Sequence, residues 1–463
     1  MRILARGCLA LSAGAAAALL AGCGGIPATT TSVSERAATP FVRQAAGGWR
    51  ETTLSSFDYI DGTYDTYSGL VFDADGNLYG TTQWGGYSTC QYDQSCGVAY
   101  ELTRSSSGAW TETVIHEFSQ CDPLGFFPRA PLIVDRKGNL YGTTAEGGPF
   151  CSGVGPGAVF ELSPNGGSIW TPNLIYQFRG TIDGEAPQAP LTFDRAGNLY
   201  GTTSEGGNRD DGTIFELTPQ DHGRYWTKTL LHSFTNREGY SPHSRLTFDK
   251  AGDLYGTTTF GGAFASGCGG YGCGTAFELT PGKSGTRKLK VLHSFGYGND
   301  GAYPVSALTL DSTGDLFGVT SQGGGHSSGC LAYGCGTVFE LTQKKSGAWT
   351  EQIIHDFGSG TDGNLPRGDL TRDDAGLLYG TAVLGGRYAS GMAYRLSRGT
   401  SGAWQEDVLH DFGKGKDGAL PYTGMIFDQA HNLYGTTDTG GQYRSGSCQM
   451  SKGCGAIFEI TPR

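Results

Sequence analysis

Residues 191–218 read LTFDRAGNLYGTTSEGGNRDDGTIFELT, and residues 226–234 continue with WTKTLLHSF. Four runs rich in β-branched and aromatic residues alternate here with Gly, Asn and Asp, a pattern typical of short strands joined by tight turns. We call these runs strands a (LTFD), b (NLYGTT), c (GTIFELT) and d (WTKTLLHSF). Close variants of each run occur seven times after residue 48. Such a repeated four-stranded unit predicts the blades of a β-propeller.

The order of the runs also predicts how the ring closes. The repeats begin with a strand d at residues 49–57 and end with a strand c at residues 455–461. The numbers of strands balance only if this first strand d completes the last blade, which removes a free sheet edge. We therefore predict an all-β fold, a seven-bladed propeller of four-stranded blades over residues 49–463.

Composition excludes several other classes. Glycine accounts for 78 of 463 residues, only 17% of residues are charged, and 11% are aromatic. A coiled coil would need more charge, and a disordered chain would carry fewer aromatic rings. The net charge of −11, without a basic run, disfavours nucleic-acid partners because phosphate backbones repel an acidic surface.

The N-terminus predicts export and a lipid anchor. Residues 1–22 combine a short basic start with an apolar stretch too short to span a bilayer, as in a secretory signal peptide. The segment Leu20-Ala21-Gly22-Cys23 resembles the lipobox of bacterial lipoproteins, which implies cleavage before Cys23 and acylation of that residue, for example with palmitate. Residues 23–48 are then the lipidated cysteine and a flexible tether. Gly24, where proteins retained at the inner membrane carry Asp, favours the outer membrane, on its periplasmic side or at the cell surface. The alternative is an ordinary signal peptide with an incidental cysteine.

The pattern DxxGNLYGTT…GG…GxxFELT…LHSF…DG covers nearly all of residues 49–463. It resembles the GloVer tandem-repeat proteins of bacteria, also called choice-of-anchor proteins. The resemblance implies a place in the cell envelope and no particular chemistry. Strands a and b are also similar to those of lactonase-like and NHL-type propellers, which is a fold-level analogy.

Ten cysteines remain after Cys8 of the signal and Cys23 of the anchor, and an even number in an exported protein predicts disulfides. Four close pairs fall in the loops between strands b and c: Cys90/Cys96, Cys268/Cys273, Cys330/Cys335 and Cys448/Cys454. Cys121 and Cys151 are the remaining two, and we expect them to bridge two loops of the second blade. A Cys₄ zinc site built from two neighbouring pairs is the alternative.

Most recurring polar residues read as structural. Each strand a ends in an Asp followed by a turn, where a carboxylate accepts turn N–H groups. A calcium loop at residues 73–77 lacks the further spaced ligands that it would need. The Glu after the strand-c aromatic residue and the His near the end of strand d recur in most blades, which favours packing over catalysis. No nucleophile elbow, HExxH motif, Walker loop or dinucleotide fingerprint occurs, so we predict no catalytic residue, cofactor or metal site.

Specificity is expected where the repeats differ, at the channel mouth formed by the d–a and b–c loops. One position per blade, just after the proline that usually precedes strand a, should ring the mouth: Tyr67, Arg129, Gln188, His243, Val305, Arg367 and Tyr422. Arg129 and Arg367, with Arg245 nearby, could bind an anionic group. Solvated rim residues are the alternative interpretation.

The sequence therefore predicts a monomeric, lipid-anchored envelope protein that binds a protein or glycan partner without catalysis. A glycan hydrolase or lyase is the first alternative, with His243 as the only modest acid–base candidate. A scaffold subunit of an outer-membrane assembly complex is the second.

Overall fold

The computed structural model describes residues 44–45, 48–58, 68–88, 90, 95–148, 155–167, 169–264, 268–282, 287–296, 299–326, 330, 334–358, 361–442 and 453–463. Several sequence predictions fall outside the described residues: the signal peptide, the lipidation site Cys23, the rim residue Tyr67, and Cys151 and Cys448.

Strands account for nearly all the regular structure of the described chain. Before the first blade lie β1 (Gln44–Ala45) and β2 (Trp49–Ser56), and the first blade holds β3 (Val71–Phe72), β4 (Leu78–Thr82), β5 (Val98–Arg104) and β6 (Trp110–Glu117). The second blade holds β7 (Ile133–Val134), β8 (Leu140–Thr144), β9 (Ala158–Pro164) and β10 (Trp170–Gln177), and the third holds β11 (Thr192–Phe193), β12 (Leu199–Thr203), β13 (Thr213–Gln220) and β14 (Tyr225–Ser233). The fourth blade holds β15 (Thr247–Phe248), β16 (Leu254–Thr258), β17 (Thr275–Pro281) and β18 (Arg287–Ser294).

The later blades carry short additional strands. The fifth blade holds β19 (Gly301–Pro304), β20 (Thr309–Leu310), β21 (Leu316–Gly323), β22 (Thr337–Gln343) and β23 (Trp349–Asp356). The sixth holds β24 (Gly363–Pro366), β25 (Thr371–Arg372), β26 (Leu378–Gly385), β27 (Met392–Arg398) and β28 (Trp404–Asp411). The last segment holds β29 (Gly418–Ala419), β30 (Ile426–Phe427), β31 (Leu433–Thr437), β32 (Thr439–Gly440) and β33 (Ala456–Pro462). Short 3₁₀ turns lie at Thr181–Asp183, Asp221–Gly223 and Cys268–Gly270.

The predicted seven-bladed propeller and its ring closure are confirmed. Within each blade the strands pair antiparallel in the order a, b, c, d. In the last blade this order is β30, β31, β33 and β2, so the N-terminal strand supplies strand d. Trp49 pairs with Pro462 and Ser56 with Ala456 along this seam. The two ends of the repeat region are thus held together by a complete β-ladder.

Two features lie outside the basic blade. Gln44–Ala45, within the predicted tether, pairs in parallel with Asp407 and Val408 at the outer edge of the sixth blade. The strands β19 and β24 pair with extensions of strand b, and β29 pairs with β32. None of the described residues forms a helix with the length and apolar character needed to cross a bilayer.

The glycine of each LYGTT run is required by an aromatic ring. A Cβ atom added to Gly201 would lie 2.6 Å from Cζ of Phe215 on strand c of the same blade. This contact recurs in every blade, between the following pairs: Gly80 and Tyr100, Gly142 and Phe160, Gly201 and Phe215, Gly256 and Phe277, Gly318 and Phe339, Gly380 and Tyr394, Gly435 and Phe458. Glycine is therefore needed at this position, because the strand-c ring occupies the space that a larger side chain would fill.

The same rings join neighbouring blades. The phenylalanine at the end of each strand d packs against the strand-c ring of the next blade, with centroids about 5 Å apart in the edge-on or tilted geometry that aromatic pairs favour. Phe57, from the N-terminal strand, contacts Tyr100 at 5.2 Å and so completes the ring. Phe57 and Phe234 are both fully buried.

Threonine hydroxyls add polar contacts between blades. The first Thr of LYGTT donates to a backbone carbonyl just before strand a of the next blade, as in Thr257 Oγ1 to Ser306 O at 3.0 Å. Equivalent bonds leave Thr81, Thr143, Thr202, Thr381 and Thr436. Val319 takes this place in the fifth blade. Each buried hydroxyl is satisfied by a neighbouring blade, which fixes the angle between the sheets.

Three of the predicted disulfides are formed: Cys90–Cys96, Cys268–Cys273 and Cys330–Cys335. These six residues therefore do not form the alternative Cys₄ zinc site. Cys454 is also disulfide-bonded, whereas Cys121 lies at an exposed position. Short disulfides of this kind stabilise the b–c loops, which are otherwise rich in glycine.

Ring closure predicts that Phe57 is worth as much to stability as a phenylalanine in the middle of the chain. Phe57→Ala and Phe234→Ala should each lower the free energy of unfolding by about 3–5 kcal/mol, because each empties the same contact with a strand-c ring. Urea denaturation followed by tryptophan fluorescence measures both. Tyr87→Ala, at a side chain that is 76% exposed, is the control. If Phe57→Ala kept the wild-type free energy of unfolding while Phe234→Ala lost several kcal/mol, closure by the N-terminal strand would be contradicted.

Candidate functional site

The d–a connections hold a strained residue just before their proline. Six non-glycine residues in this place have φ between +54° and +59°: Phe127, Ala186, Ser241, Tyr303, Leu365 and Leu420. The backbone clamps Ser241 on both sides, because its N–H donates to Asp211 O at 3.1 Å and its carbonyl accepts from Thr259 N at 3.2 Å. Sequence reasoning missed this conformation, since the residue before a proline is normally extended. Its recurrence in six blades makes the strain part of the architecture.

Several of the residues that follow these prolines contact one another. Arg129 Nη1 donates to Gln188 Oε1 at 3.1 Å, and the Arg367 guanidinium lies 5.6 Å from the Tyr422 ring centroid. His243 is influenced electrostatically by both Arg129 and Arg367, although these residues belong to the second, fourth and sixth blades. Five of the predicted rim residues, Arg129, Gln188, His243, Arg367 and Tyr422, are thus linked by contacts or electrostatic influence, and each is half-buried.

The two arginines are not neutralised by direct partners. The Nε atoms of Arg129 and Arg367 are buried and make no hydrogen bond with any of the described residues. Neither guanidinium forms an ion pair with a carboxylate in the part of the chain described here. Glu146 lies near Arg129, and burial raises the pKa of its carboxyl while Arg129 opposes that rise. The mouth therefore presents two guanidinium groups with donors left to offer.

Arg245 has a different role. Its Nη2 lies 3.5 Å from Asp369 Oδ2, a contact that joins the fourth blade to the sixth. Asp369 also accepts a hydrogen bond from Ala307 N at 2.7 Å. This pair ties three blades together close to the ring of rim residues, so the charge of Arg245 is already balanced.

His243 is the residue that the sequence offered as an acid–base group. Its Nε2 atom lies 2.9 Å from Ser241 Oγ. Burial, together with the positive charges of Arg129 and Arg367, lowers its pKa to about 4. The imidazole is therefore neutral at pH 7 and a weak base, and no carboxylate contacts it within the described residues. The arrangement supplies a hydrogen-bonding group rather than a proton-transfer site.

The recurring Asp, Tyr and Glu residues form structural clusters. Asp194 Oδ1 accepts the N–H groups of Ala196 and Asn198 at 2.8 and 2.9 Å, as expected for a turn cap. The Tyr200 hydroxyl donates to Glu216 Oε1 at 2.8 Å and lies 3.4 Å from Asp194 Oδ2. The same contacts recur in other blades, for example at Tyr79 and Tyr434. This repetition supports the structural interpretation of these residues.

The chain was compared with known families and structures. The family model described as the Gloeobacter/Verrucomicrobia repeat matches residues 24–269 and 154–332, more than half of the chain. No curated protein matches it. A fungal alcohol oxidase of the AA5 family, in complex with copper, has a TM-score of 0.53 at 13% identity, covering 89% of this chain and 76% of that chain. A protein of unknown function from Dyadobacter fermentans DSM 18053 has a TM-score of 0.42 at 12% identity, covering 78% of this chain and 98% of that chain. At these identities the oxidase shares the fold alone, and copper is a property of that protein.

The charges around His243 predict its titration. Its ring should titrate near pH 4 in the folded protein, because burial and two guanidiniums oppose protonation. Arg129→Gln and Arg367→Gln should each raise this pKa, whereas Tyr422→Phe, which changes no charge, should leave it in place. Ring signals in a ¹H–¹³C NMR titration, assigned with His243→Asn, measure the effect. Since folding lowers the pKa from its ordinary value of 6.5, this residue should destabilise the fold as the pH falls from 6.5 to 4. A His243 pKa near 6.5 in the wild type would contradict the geometry.

Proposed function

The chain belongs to the Gloeobacter/Verrucomicrobia repeat family, and from this premise we propose that it is a lipid-anchored envelope propeller that binds an anionic ligand at its channel mouth. The observation that carries the proposal is the pair Arg129 and Arg367: neither guanidinium forms an ion pair among the described residues, and the buried Nε atom of each makes no hydrogen bond there. Guanidinium groups recognise carboxylates and phosphates through paired, charge-assisted hydrogen bonds.

The neighbours of the two arginines suit a small polar anion such as a sugar acid. Gln188, which accepts a hydrogen bond from Arg129, also carries an amide group that can donate to a ligand. Neutral His243 offers a ring nitrogen, and the Tyr422 ring beside Arg367 offers an aromatic face. A ligand carrying one carboxylate or phosphate and several hydroxyls could use all of these groups together.

Binding without catalysis is favoured over a hydrolase or lyase. An enzyme of that kind needs an acid and a base of matched pKa, and His243 is both weakly basic and without a carboxylate partner in the described chain. The strained Ser241 beside it does not mark a nucleophile, because five other blades carry the same strain.

The envelope location rests on two supports. The lipobox-like segment ending at Cys23 follows a signal-like N-terminus, and three disulfides lie in the b–c loops. Disulfides form and persist outside the cytosol. An outer-membrane position and a scaffold role in an assembly complex are further hypotheses drawn from the sequence alone.

Anion binding is tested with galacturonate and inorganic phosphate as probes and neutral galactose as the comparison, by isothermal titration calorimetry. The wild type should bind at least one anion, more weakly at high salt, and should prefer galacturonate to galactose. Arg129→Gln and Arg367→Gln should each weaken binding about 10- to 100-fold, the value of a charge-assisted hydrogen bond.

Arg136→Gln is the matched control, because it removes the same charge from an exposed turn of the second blade. Equal binding of galactose and galacturonate, or unchanged binding by the variant lacking both Arg129 and Arg367, would overturn the proposal. Turnover of an acidic oligosaccharide that depends on His243 would favour the enzyme instead. Capture of a membrane protein from envelopes, lost in that double variant, would favour the scaffold.

The anchor is tested separately. Cys23→Ser should abolish incorporation of labelled palmitate and release the protein from the membrane fraction, because the thiol that carries the lipid is gone. Ser32→Ala, in the predicted tether, should leave both unchanged. Continued labelling of Cys23→Ser would refute the lipoprotein assignment while leaving the anion site untouched.

A further inference from the structure

The outer part of each blade interface contains a polar position that the proposed function does not use. Three elements meet there: strand d of one blade, the d–a loop that follows it, and strand d of the next blade. In the fifth and sixth blades these elements supply His355, Asp362 and Glu406. In the fourth and fifth blades they supply His293, Asp300 and Glu351. One ligand atom from each residue lies within 4.8 Å of the others in both groups.

The distances at the first group do not fit direct hydrogen bonds. His355 Nε2 lies 3.6 Å from Asp362 Oδ1 and 3.7 Å from Glu406 Oε1. Ligand atoms bound 2.0–2.2 Å from one tetrahedral ion lie about 3.3–3.6 Å apart. The side chains of His355 and Glu406 are each 1% exposed, and that of Asp362 is 23% exposed.

At one interface that lacks the third ligand, the histidine and the aspartate lie closer together than in the His355 group. His116 and Asp122 occupy the corresponding positions of the first blade, and Pro172 stands where the next blade would supply Glu. Here His116 Nε2 lies 2.7 Å from Asp122 Oδ2, which is a direct hydrogen bond. His293 Nε2 lies 3.2 Å from Asp300 Oδ2 although Glu351 completes that group, and His410 Nε2 lies 2.9 Å from Asp417 Oδ2 beside Glu51. The wider spacing is therefore a feature of the His355 group and does not follow from a third carboxylate in general.

A third interface shows that a cation fits this position. Between the second and third blades, Tyr176 replaces the histidine and Lys228 replaces the glutamate, while Asp183 remains. Lys228 Nζ lies 3.0 Å from Asp183 Oδ1, and its side chain is 5% exposed. The protein places its own buried positive charge where the His293 and His355 groups carry a second acid.

In the His293–Asp300–Glu351 group, one carboxylate oxygen receives no hydrogen bond from any of the described residues. Glu351 Oε1 is buried and accepts no hydrogen bond. A buried carboxylate oxygen left in this way is costly unless the group is protonated or a cation compensates its charge. This oxygen belongs to the same group as His293 and Asp300.

We infer that the His355–Asp362–Glu406 and His293–Asp300–Glu351 groups each bind a divalent first-row transition metal, with Zn²⁺ as the best-matched ion. One imidazole and two carboxylates are ligands that zinc accepts, and they leave a fourth position for water. Calcium and magnesium fit less well because they prefer oxygen ligands throughout. Each ion would join two blades through three segments of the chain. We expected no metal site from the sequence because these segments are far apart in it.

The test uses the full chain without a polyhistidine tag, stripped with a chelator and then dialysed against micromolar Zn²⁺. Plasma mass spectrometry should find two ions per chain, and the melting temperature should rise on adding Zn²⁺, since the ions bind the folded state. Glu406→Gln should retain one ion and Glu351→Gln/Glu406→Gln none. Asp122→Asn, at the interface without a third ligand, should retain two. Co²⁺ should give visible absorption bands that weaken in step with these counts.

A transplanted interface separates loss of metal from loss of folding. His355→Tyr/Glu406→Lys copies the residues of the second–third interface and should fold with one ion fewer, because an ammonium takes the place of the metal. Failure of the wild type to take up zinc would overturn the inference, as would two ions in Glu351→Gln/Glu406→Gln. Neither result bears on the channel mouth, so the anion proposal stands or falls independently.

Discussion

The contact between the strand-b glycine and the strand-c ring is the constraint on which this propeller depends. The ring lies so close to the glycine that a methyl group would meet it at 2.3–2.7 Å in every blade. On its other side the ring contacts the terminal phenylalanine of the preceding blade. One aromatic side chain therefore sets the strand spacing within a blade and the packing between blades. Because a similar contact recurs in all seven blades, the propeller closes without a different kind of contact at its seam. The N-terminal strand can therefore supply strand d of the last blade.

Positions free of this constraint are the ones that vary, and they fall into two groups. The residue after the d–a proline follows closely on the strained residue that precedes the proline, and its type differs from blade to blade. The third residue of strand d faces the previous blade, where glutamate, lysine, proline and leucine occur in different blades. The first group carries unbalanced positive charge and the second carries mostly negative charge. The scaffold thus holds both without either disturbing the aromatic contacts.

The sequence was sufficient for the fold because its signal is repeated and local. A run such as Leu199–Thr203 shows strand residues, a glycine and two buried threonines within five positions. Candidate rim residues could be chosen from the sequence because all of them except Tyr67 follow a recognisable proline. The strain at Ser241 could not be predicted, because a residue before proline is normally extended and nothing local marks the exception. The pairing of Arg245 with Asp369 escaped prediction for another reason: it joins positions 124 residues apart on two different blades.

The His–Asp–Glu groups could not be predicted by considering each repeat separately. The histidine recurs in five blades and the Asp-Gly pair follows it in several, so each residue alone resembles a packing element. The candidate metal site appears only when residues on both sides of a blade boundary are considered together, because the glutamate belongs to the next blade. Pro172, Lys228 and Leu289 interrupt the pattern at three interfaces, and a consensus would average these differences away. A repeat protein can therefore hide sites in the relation between neighbouring units, because each unit supplies only part of the ligand set.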